Sequence, residues 1–275
     1  MALTAKQIFK SIVPPLLWNV GRNLKRRFVP SVTHFQYAPR GWSTPLPGGA
    51  HSDDFWSAFT AQEQAASEEL IARMRAREPL LETRGDEHTK HLLFGYALAL
   101  TARHKTKVSV LDYGSNLGDY YWLGRALVPD VELDYHCREL PKVAEAGRRI
   151  TPNVVWHTDD TVLTGSYDLV MFSSCIQCLP NWQDILVRAA QSTRNYLLLA
   201  DVPTVRDVPA YIVTHRERGR TNLQILMNHS EIVGTVERTG LQLVREFAMG
   251  PHPPVANATE QPMCLGWLFQ RNPES

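Results

Sequence analysis

From residue 108 onward, short and nearly continuous apolar runs alternate with stretches in which apolar residues recur every three or four positions. The runs VSVLDY, VELDYHC, NVVWH, YDLVMFS and NYLLLA predict strands, and YYWLGRALV, LPKVAEAGRRI and WQDILVRAAQST between them predict helices. Val- and Leu-rich strands separated by helices predict a parallel sheet covered on both faces, a doubly wound α/β fold. The chain then continues with a helix near SEIVGTVERTG, a strand LQLVREF, a Pro-rich loop GPHPPVANATEQP and a last strand MCLGWLF. Two strands joined without a helix predict an antiparallel pair at one edge of the sheet.

Before residue 108 the pattern is different. FWSAFTAQEQAASEELIARMRAREPLL predicts a helix with Phe59, Ala66, Leu70 and Met74 on one side, and a second helix is expected over residues 87–103. Residues 29–52 are rich in Pro, Gly and Ser with interspersed aromatics and read as an irregular arm. The expected division is a basic helix and arm over 1–52, a helical part over 53–105 that packs on the core, and the sheet domain over 106–275. With 275 residues and 44% hydrophobic content, the chain can bury one good-sized core with an appendage.

Charge adds an asymmetry to this picture. A net charge of +1 argues against a nucleic-acid binder, which needs a basic surplus against phosphates. Residues 1–52, however, hold no Asp or Glu and carry +7 from Lys6, Lys10, Arg22, Lys25, Arg26, Arg27 and Arg40, which leaves −6 for the remainder. Over residues 6–28, Phe9, Val13, Leu17, Val20 and Leu24 form an apolar stripe, with Arg22, Lys25 and Arg26 beside it. Such a segment can lie on an anionic membrane surface or pack on its own domain. It is too short and too interrupted by Pro14 and Pro15 to span a bilayer, and no small-residue cleavage site follows, so a cytoplasmic protein is expected. Four unevenly spaced cysteines fit that compartment.

The first strand of the sheet ends in Asp112-Tyr113-Gly114-Ser115-Asn116-Leu117-Gly118. In a doubly wound sheet, ligands bind beyond the carboxyl ends of the strands. A dinucleotide fingerprint read from Gly114 fails at Asn116 and Asp119, and Asp119 would repel a pyrophosphate. The pattern D-x-G-x-G-x-G of S-adenosylmethionine sites fits better: only its middle glycine differs, and Asn116 is a residue type that tolerates positive φ. That cofactor has no phosphates and carries an ammonium, so an acidic turn suits it. Glu139, 27 residues past Asp112 and just after the second strand, is the expected ribose ligand, with Asp134, inside the strand pattern, as the alternative. Asp159 and Asp160 follow the third strand, where an adenine amino group could be met. Ser174 and Gln177 follow the fourth and could contact the methionine portion or an acceptor.

These residues carry a resemblance. DYGSNLG, ELP and SSCIQCL, together with WHTDD, YLLLADVP, RTNLQ and CLGWLF, make the chain similar to class I methyltransferases encoded among bacterial O-antigen, capsule and other surface-polysaccharide genes, over roughly residues 87–270. The family pattern is D-[FY]-G-x-x-L-G, then Glu-x-Pro, then S-x-x-L-Q-Y-L. The chain departs from the family at Ser115, usually glycine, at Cys178, usually Tyr, and at Asp201-Val202-Pro203, where Arg-Thr-Pro commonly follows the Asp. The resemblance implies a seven-stranded Rossmann-like methyltransferase sheet with an antiparallel last strand, S-adenosylmethionine as cofactor, and O-methylation of a sugar or related polar acceptor at the inner face of the membrane.

Transfer to a hydroxyl requires removal of its proton, by a base or with a metal. Asp201, at the end of the fifth strand, is the first candidate, as base or as metal ligand, followed by His215 and His229. Cys175 and Cys178 form a C-x-x-C, which keeps a thiol redox protein as an alternative. A non-catalytic cofactor-binding subunit is another. Zinc would need a second ligand pair, and Cys137 and Cys264 are not paired in sequence.

Overall fold

A computed structural model describes residues 33–46, 53–76, 78, 85–217 and 220–272. The basic stripe over 6–28 lies outside the described residues. Among the described residues, no helix is long and apolar enough to cross a membrane.

The main sheet contains every strand expected from the sequence. In chain order these are β2 (Lys107–Tyr113), β3 (Glu132–Arg138), β4 (Val155–His157), β5 (Tyr167–Ser173), β6 (Thr193–Val205), β9 (Leu241–Pro251) and β11 (Met263–Arg271). Their spatial order is β4-β3-β2-β5-β6-β11-β9, with β11 antiparallel to both neighbours and the β4-to-β6 pairings all parallel. The closing pair is therefore antiparallel and lies at an edge, as expected, with β11 slotted between β6 and β9. Burial follows position. The central β2 and β5 are buried almost throughout, β3 alternates, and the edge strand β9 is mostly open.

Among the described residues six α-helices accompany the strands: α1 (Asp53–Arg75), α2 (Gly85–Ala102), α3 (Asp119–Leu127), α4 (Pro141–Ile150), α5 (Trp182–Ser192) and α6 (His229–Glu237). One core layer joins Phe94 and Leu98 of α2 with Leu123 of α3, Met171 of β5 and Leu198 of β6. The opposite layer joins Ile185 and Leu186 of α5 and Ile232 of α6 with Phe172, Leu199 and Trp267. Both faces of the sheet are thus covered, which is the doubly wound arrangement. Helix α4 starts on Pro141, whose missing N–H costs nothing in a first turn. Its Gly147 lets Trp156 lie so close that a Cβ would come within 2.2 Å of the ring.

A second, smaller sheet departs from the sequence reading. The region expected to be an irregular arm holds β1 (Thr33–Tyr37), and the hairpin β7 (Tyr211–Glu217) and β8 (Arg220–Asn228) fills a stretch with no clear strand pattern. With β10 (Val255–Ala256), from the Pro-rich loop, they form the order β10-β1-β7-β8. The two sheets meet because β6 is long. It pairs with β5 up to Ala200 and with β8 from Thr204, through Thr204 opposite Met227 and Val205 opposite Asn228. Between these two stretches Ala200 and Asp201 face the single Gly266, a bulge, and Asp201 has a φ of 57°. The strand bends there and carries the second sheet out beyond the carboxyl ends of β5 and β6.

At the other end of the strands, Asp168 ties three of them together. Its Oδ1 lies 2.8 Å from Lys105 Nζ and accepts from Arg194 Nε at 3.2 Å, and its Oδ2 accepts from Ser109 N at 2.9 Å. Burial alone would raise its pKa, but the Lys105 and Ser109 hydrogen bonds outweigh that and hold it below the usual carboxylate value. Asp168→Ala leaves these donors facing one another and is expected to cost about 2–4 kcal/mol, read by denaturant unfolding at neutral pH. Because the folded pKa is depressed, this contribution is present above the unfolded value of about 4 and is lost as the pH falls through the folded value. The gap between wild type and variant should therefore close on acidification; a gap that persists unchanged at pH 3 would refute the assignment.

Candidate active site

The turn between β2 and α3 is built from alternate left-handed residues. Gly114, Asn116 and Gly118 have φ values of 77°, 51° and 82°. Asn116 thus adopts the conformation a glycine would have there, as its side chain permits. A Cβ on Gly114 would lie 2.6 Å from Cys175 Cβ, so this glycine is required by space as well as by φ. Asn116 Oδ1 accepts from Thr60 Oγ1 at 3.1 Å, which ties α1 to the turn.

The turn surrounds carboxylates that the protein leaves incompletely satisfied. Asp112 is fully buried, and its Oδ2 accepts from Tyr135 Oη at 3.0 Å. Its Oδ1, with Asp119 Oδ1 and Gln177 Oε1, is buried without a hydrogen-bond partner among the described residues. Burial pushes Asp112 up to about 7 against the opposing Tyr135 hydrogen bond, with Glu139 and Asp119 adding to the rise. Asp119 goes up to about 6, again chiefly by burial, with Ser67 opposing and Glu87 adding. Native proteins rarely leave buried acceptors unfilled, and Asp112 and Asp119 flank this one turn.

Glu139 stands where the sequence places it, at the end of β3. Its Oε1 accepts from Asn116 N at 3.0 Å and its Oε2 from Leu140 N at 2.7 Å. These bonds fix the carboxylate against the turn.

The two aspartates after β4 have separate duties. Asp159 caps the short 3-10 helix Asp160–Thr164, with Oδ1 accepting from Thr161 N at 2.9 Å, and the Thr161 hydroxyl and amide hold its pKa below the usual value. Asp160 turns the other way. Its Oδ1 binds Arg138 at 2.7 Å and accepts from Tyr113 Oη at 2.7 Å, while the Arg138 guanidinium lies 4.7 Å from the Tyr113 ring centre. Tyr113 is itself buried and stacks on Phe172. In this structure Asp160 and Tyr113 brace the turn through their side chains.

Across the sheet's switch point lie Ser174 and Asp201. Ser174 has a φ of 54°, so both residues hold left-handed backbone without being glycine, a strained state that clusters at functional sites. Ser174 Oγ donates to Asp201 Oδ2 at 2.6 Å, and Lys90 Nζ of α2 lies 3.7 Å from the same oxygen and 2.8 Å from Glu87. Tyr120 Oη meets Ser173 Oγ at 2.9 Å, closing the floor between turn and strand end. Ser115 is buried within the turn. The sequence reading missed Lys90 and Glu87, which sit on a helix whose periodicity signalled only packing.

The histidines divide. His215 stacks on Phe35 with centroids 4.4 Å apart, meets Gln224 at 3.0 Å, and is held down at about 4 by burial and by the nearby His252. His229 instead pairs with Glu246, which also binds Arg206 and accepts from Trp267 Nε1 at 3.1 Å. The structure thus places His229 in an ion-pair cluster on the α6 side of β9 and β11, and none of its contacts among the described residues reaches the turn. Cys175 Sγ donates to Tyr113 O at 2.9 Å, and burial raises both thiols, Cys178 up to about 12, which disfavours the thiolate that redox chemistry needs. Among the described residues, no three His, Cys, Asp or Glu side chains converge as a metal-ligand group.

No protein-family model and no curated sequence matches the chain. Solved structures do. An O-methyltransferase family protein from Burkholderia thailandensis aligns over 94% of this chain and 69% of its own, with 15% identity and a TM-score of 0.52. A Galdieria sulphuraria protein described as a sarcosine dimethylglycine methyltransferase aligns over 75% of this chain and 98% of its own, with 12% identity and a TM-score of 0.50. The fold is therefore that of Rossmann-like methyltransferases.

A buried carboxyl with a raised pKa works against folding as it ionises. The unfolded value of Asp112 is about 4 and the folded value about 7, so its stability contribution is full below pH 4 and is lost as the pH rises through 7. Asp112→Asn removes that loss. The variant should match wild type in thermal unfolding near pH 4 and exceed it at pH 8 by several degrees, given roughly 2–4 °C per kcal/mol for a chain of this size. Equal melting temperatures at both pH values would show that Asp112 is not held as described.

Proposed function

We propose that this chain is an S-adenosylmethionine-dependent methyltransferase acting on a hydroxyl of a sugar or a related polar acceptor. The observation that carries the reading is the left-handed turn at Gly114, Asn116 and Gly118 wrapped around Asp112, with its buried Oδ1 left for a ligand donor. Such a turn suits a ligand that presents an ammonium and has no phosphate to be repelled by Asp112 and Asp119. Gln177 Oε1 offers a further acceptor on the same side. Glu139, fixed by Asn116 N and Leu140 N, would take ribose hydroxyls, and Asp159, two residues past His157, would meet the adenine. The methyltransferase fold of the structural neighbours supports the same assignment.

When bound, the cofactor supplies a methyl carbon already activated by a positive sulfur, so the protein's work is alignment and exclusion of water. Tyr120, packed on Phe94 and hydrogen-bonded to Ser173, walls the site from the α2 side. Asp201, oriented by Ser174 and Lys90, would receive the acceptor hydroxyl as a hydrogen-bond donor and hold its oxygen in line. This polar, charged acceptor side favours a hydroxylated molecule over an apolar one. The motifs DYGSNLG, ELP and SSCIQCL, which resemble those of surface-polysaccharide methyltransferases, support a glycan acceptor in the cytoplasm. The basic residues of segment 6–28 would hold the chain at an anionic inner membrane face, where lipid-linked glycans lie.

Calorimetry with S-adenosylmethionine and S-adenosylhomocysteine, with NAD as control, tests the cofactor. Both sulfur compounds should bind in the micromolar range and NAD should not, and Glu139→Ala should weaken binding by about tenfold to a hundredfold, the worth of hydrogen bonds to a charged group. Folded protein that binds neither compound would end this reading. With sugar nucleotides and lipid-linked glycans as acceptors, Asp201→Asn should leave cofactor affinity within about twofold and lower kcat by about a hundredfold or more. Retained turnover would remove Asp201 from the acceptor site.

A further inference from the structure

We propose that Asp119, the first residue of α3, is a ligand for the ammonium of the bound cofactor, and that Ser67 of α1 is the residue that positions it. The inference rests on the methyltransferase reading above and deepens it, by adding a ligand at the opposite end of the turn from Asp112.

Helix α1 reaches the turn through a single face. Thr60, Ser67, Ile71 and Met74 are all buried, and their intervals of seven, four and three residues put them on one side of the helix. Thr60 and Ser67 are polar, and burying a hydroxyl is costly unless a partner meets it. Thr60 Oγ1 donates to Asn116 Oδ1 at 3.1 Å, and Ser67 Oγ, about two helical turns further on, donates to Asp119 Oδ2 at 3.1 Å. About two turns beyond that, the Arg75 guanidinium lies 3.9 Å from the ring centre of Trp122 on α3. The helix therefore runs along the turn and the start of α3, and its two buried hydroxyls hold one side chain within the turn and one just past it.

Ser67 engages one carboxylate oxygen of Asp119 and leaves the other unfilled. Oδ1 is buried and has no hydrogen-bond partner among the described residues, the same condition as Asp112 Oδ1 seven residues earlier. An acid in the first turn of a helix gains from the helix dipole, but that gain needs no burial. At Asp119 burial outweighs the Ser67 hydrogen bond and raises the pKa to about 6, with Glu87 of α2 adding to the rise. Lys90 on the same helix is engaged by Glu87 at 2.8 Å and lies 3.7 Å from Asp201. The chain also places Asp119 at the site: it directly follows Gly118, the last left-handed residue of the turn, and its neighbour Tyr120 reaches Ser173 at the end of β5 at 2.9 Å.

A buried carboxylate oxygen in this state calls for a cation that carries N–H donors. An alkyl ammonium supplies both the charge and the donors. A metal ion instead asks for a converging set of ligands, and among the described residues no three His, Cys, Asp or Glu side chains form one. The amino-acid end of S-adenosylmethionine carries such an ammonium, and its adenosine does not.

Calorimetry of the full-length chain tests this with S-adenosylhomocysteine and its deamino analogue, which keeps adenine, ribose, sulfur and carboxylate and lacks only the ammonium. Wild type should bind S-adenosylhomocysteine at least about tenfold more tightly than the analogue. Asp119→Asn, which keeps the shape and removes the charge, should weaken S-adenosylhomocysteine by about tenfold to a hundredfold and move the analogue by less than about twofold. Ser67→Ala, which frees Oδ2 without touching the ligand, should reduce the same preference by about fivefold, and it serves as the test if Asp119→Asn does not fold. Equal weakening of both compounds would mark Asp119 as a structural residue and overturn the proposal, as would wild-type affinities in the variants or a wild type that does not discriminate the two compounds. Folded wild type that binds neither compound ends the methyltransferase reading and this inference with it; binding by wild type with the preference unmoved in the variants ends this inference alone.

Discussion

The bulge at Ala200 and Asp201 is the constraint on which the site depends. A regular β6 would stop at the carboxyl edge of the main sheet or continue flat beyond it. With two residues facing Gly266, the strand bends, and it pairs first with β5 and then with β8. The same bend aims Asp201 at Ser174 and Lys90, and it sets the second sheet beyond the strand end of β5. Bulges commonly re-aim side chains, and here one bulge also determines where the second sheet stands. Gly266 belongs to this device: a Cβ there would lie 3.0 Å from Leu199 O.

The turn below it is organised on a different basis. Most of the core is apolar and close-packed on both faces of the sheet. The end of β2 instead buries Asp112 and half-satisfies it, and Asp119 next to it is in the same condition. Such groups lower the stability of the ligand-free protein, and the fold tolerates them because the large cores around them are sufficient. Asp168, at the opposite end of the same strands, shows the contrast: it is a buried carboxylate with a full set of donors, and it serves the fold alone.

The sequence makes the main sheet legible because its strands are continuous apolar runs with helices between them, a pattern that only a doubly covered parallel sheet needs. Asp112, Gly114, Gly118 and Glu139 are legible for the same local reason, since each stands at the end of such a run. The second sheet is hidden. Phe35 pairs with His215 and Val255, and nothing near Phe35 in the chain records partners so distant. Strand β7 mixes Thr, His, Arg and Glu with its apolar residues, so its alternation is weak. Lys90 is masked by the helix that carries it. His229, adjacent to a predicted helix, attracts notice from position alone, whereas its actual partner, Glu246, comes from β9. That Arg138 and Tyr113 converge on Asp160 is likewise not recorded by residues near it in the chain.

Strand order has a last consequence, for the way the chain is made. The strand Met263–Arg271 is made after both β6 and β9, yet it lies between them, with Trp267, Leu268 and Phe269 fully buried. Until it pairs, the β6 edge that it covers is open, and β9, which pairs only with β11 among the described residues, has no place in the sheet. The interval before β11 inserts is therefore when the newborn chain is most exposed to strand-for-strand association with its neighbours.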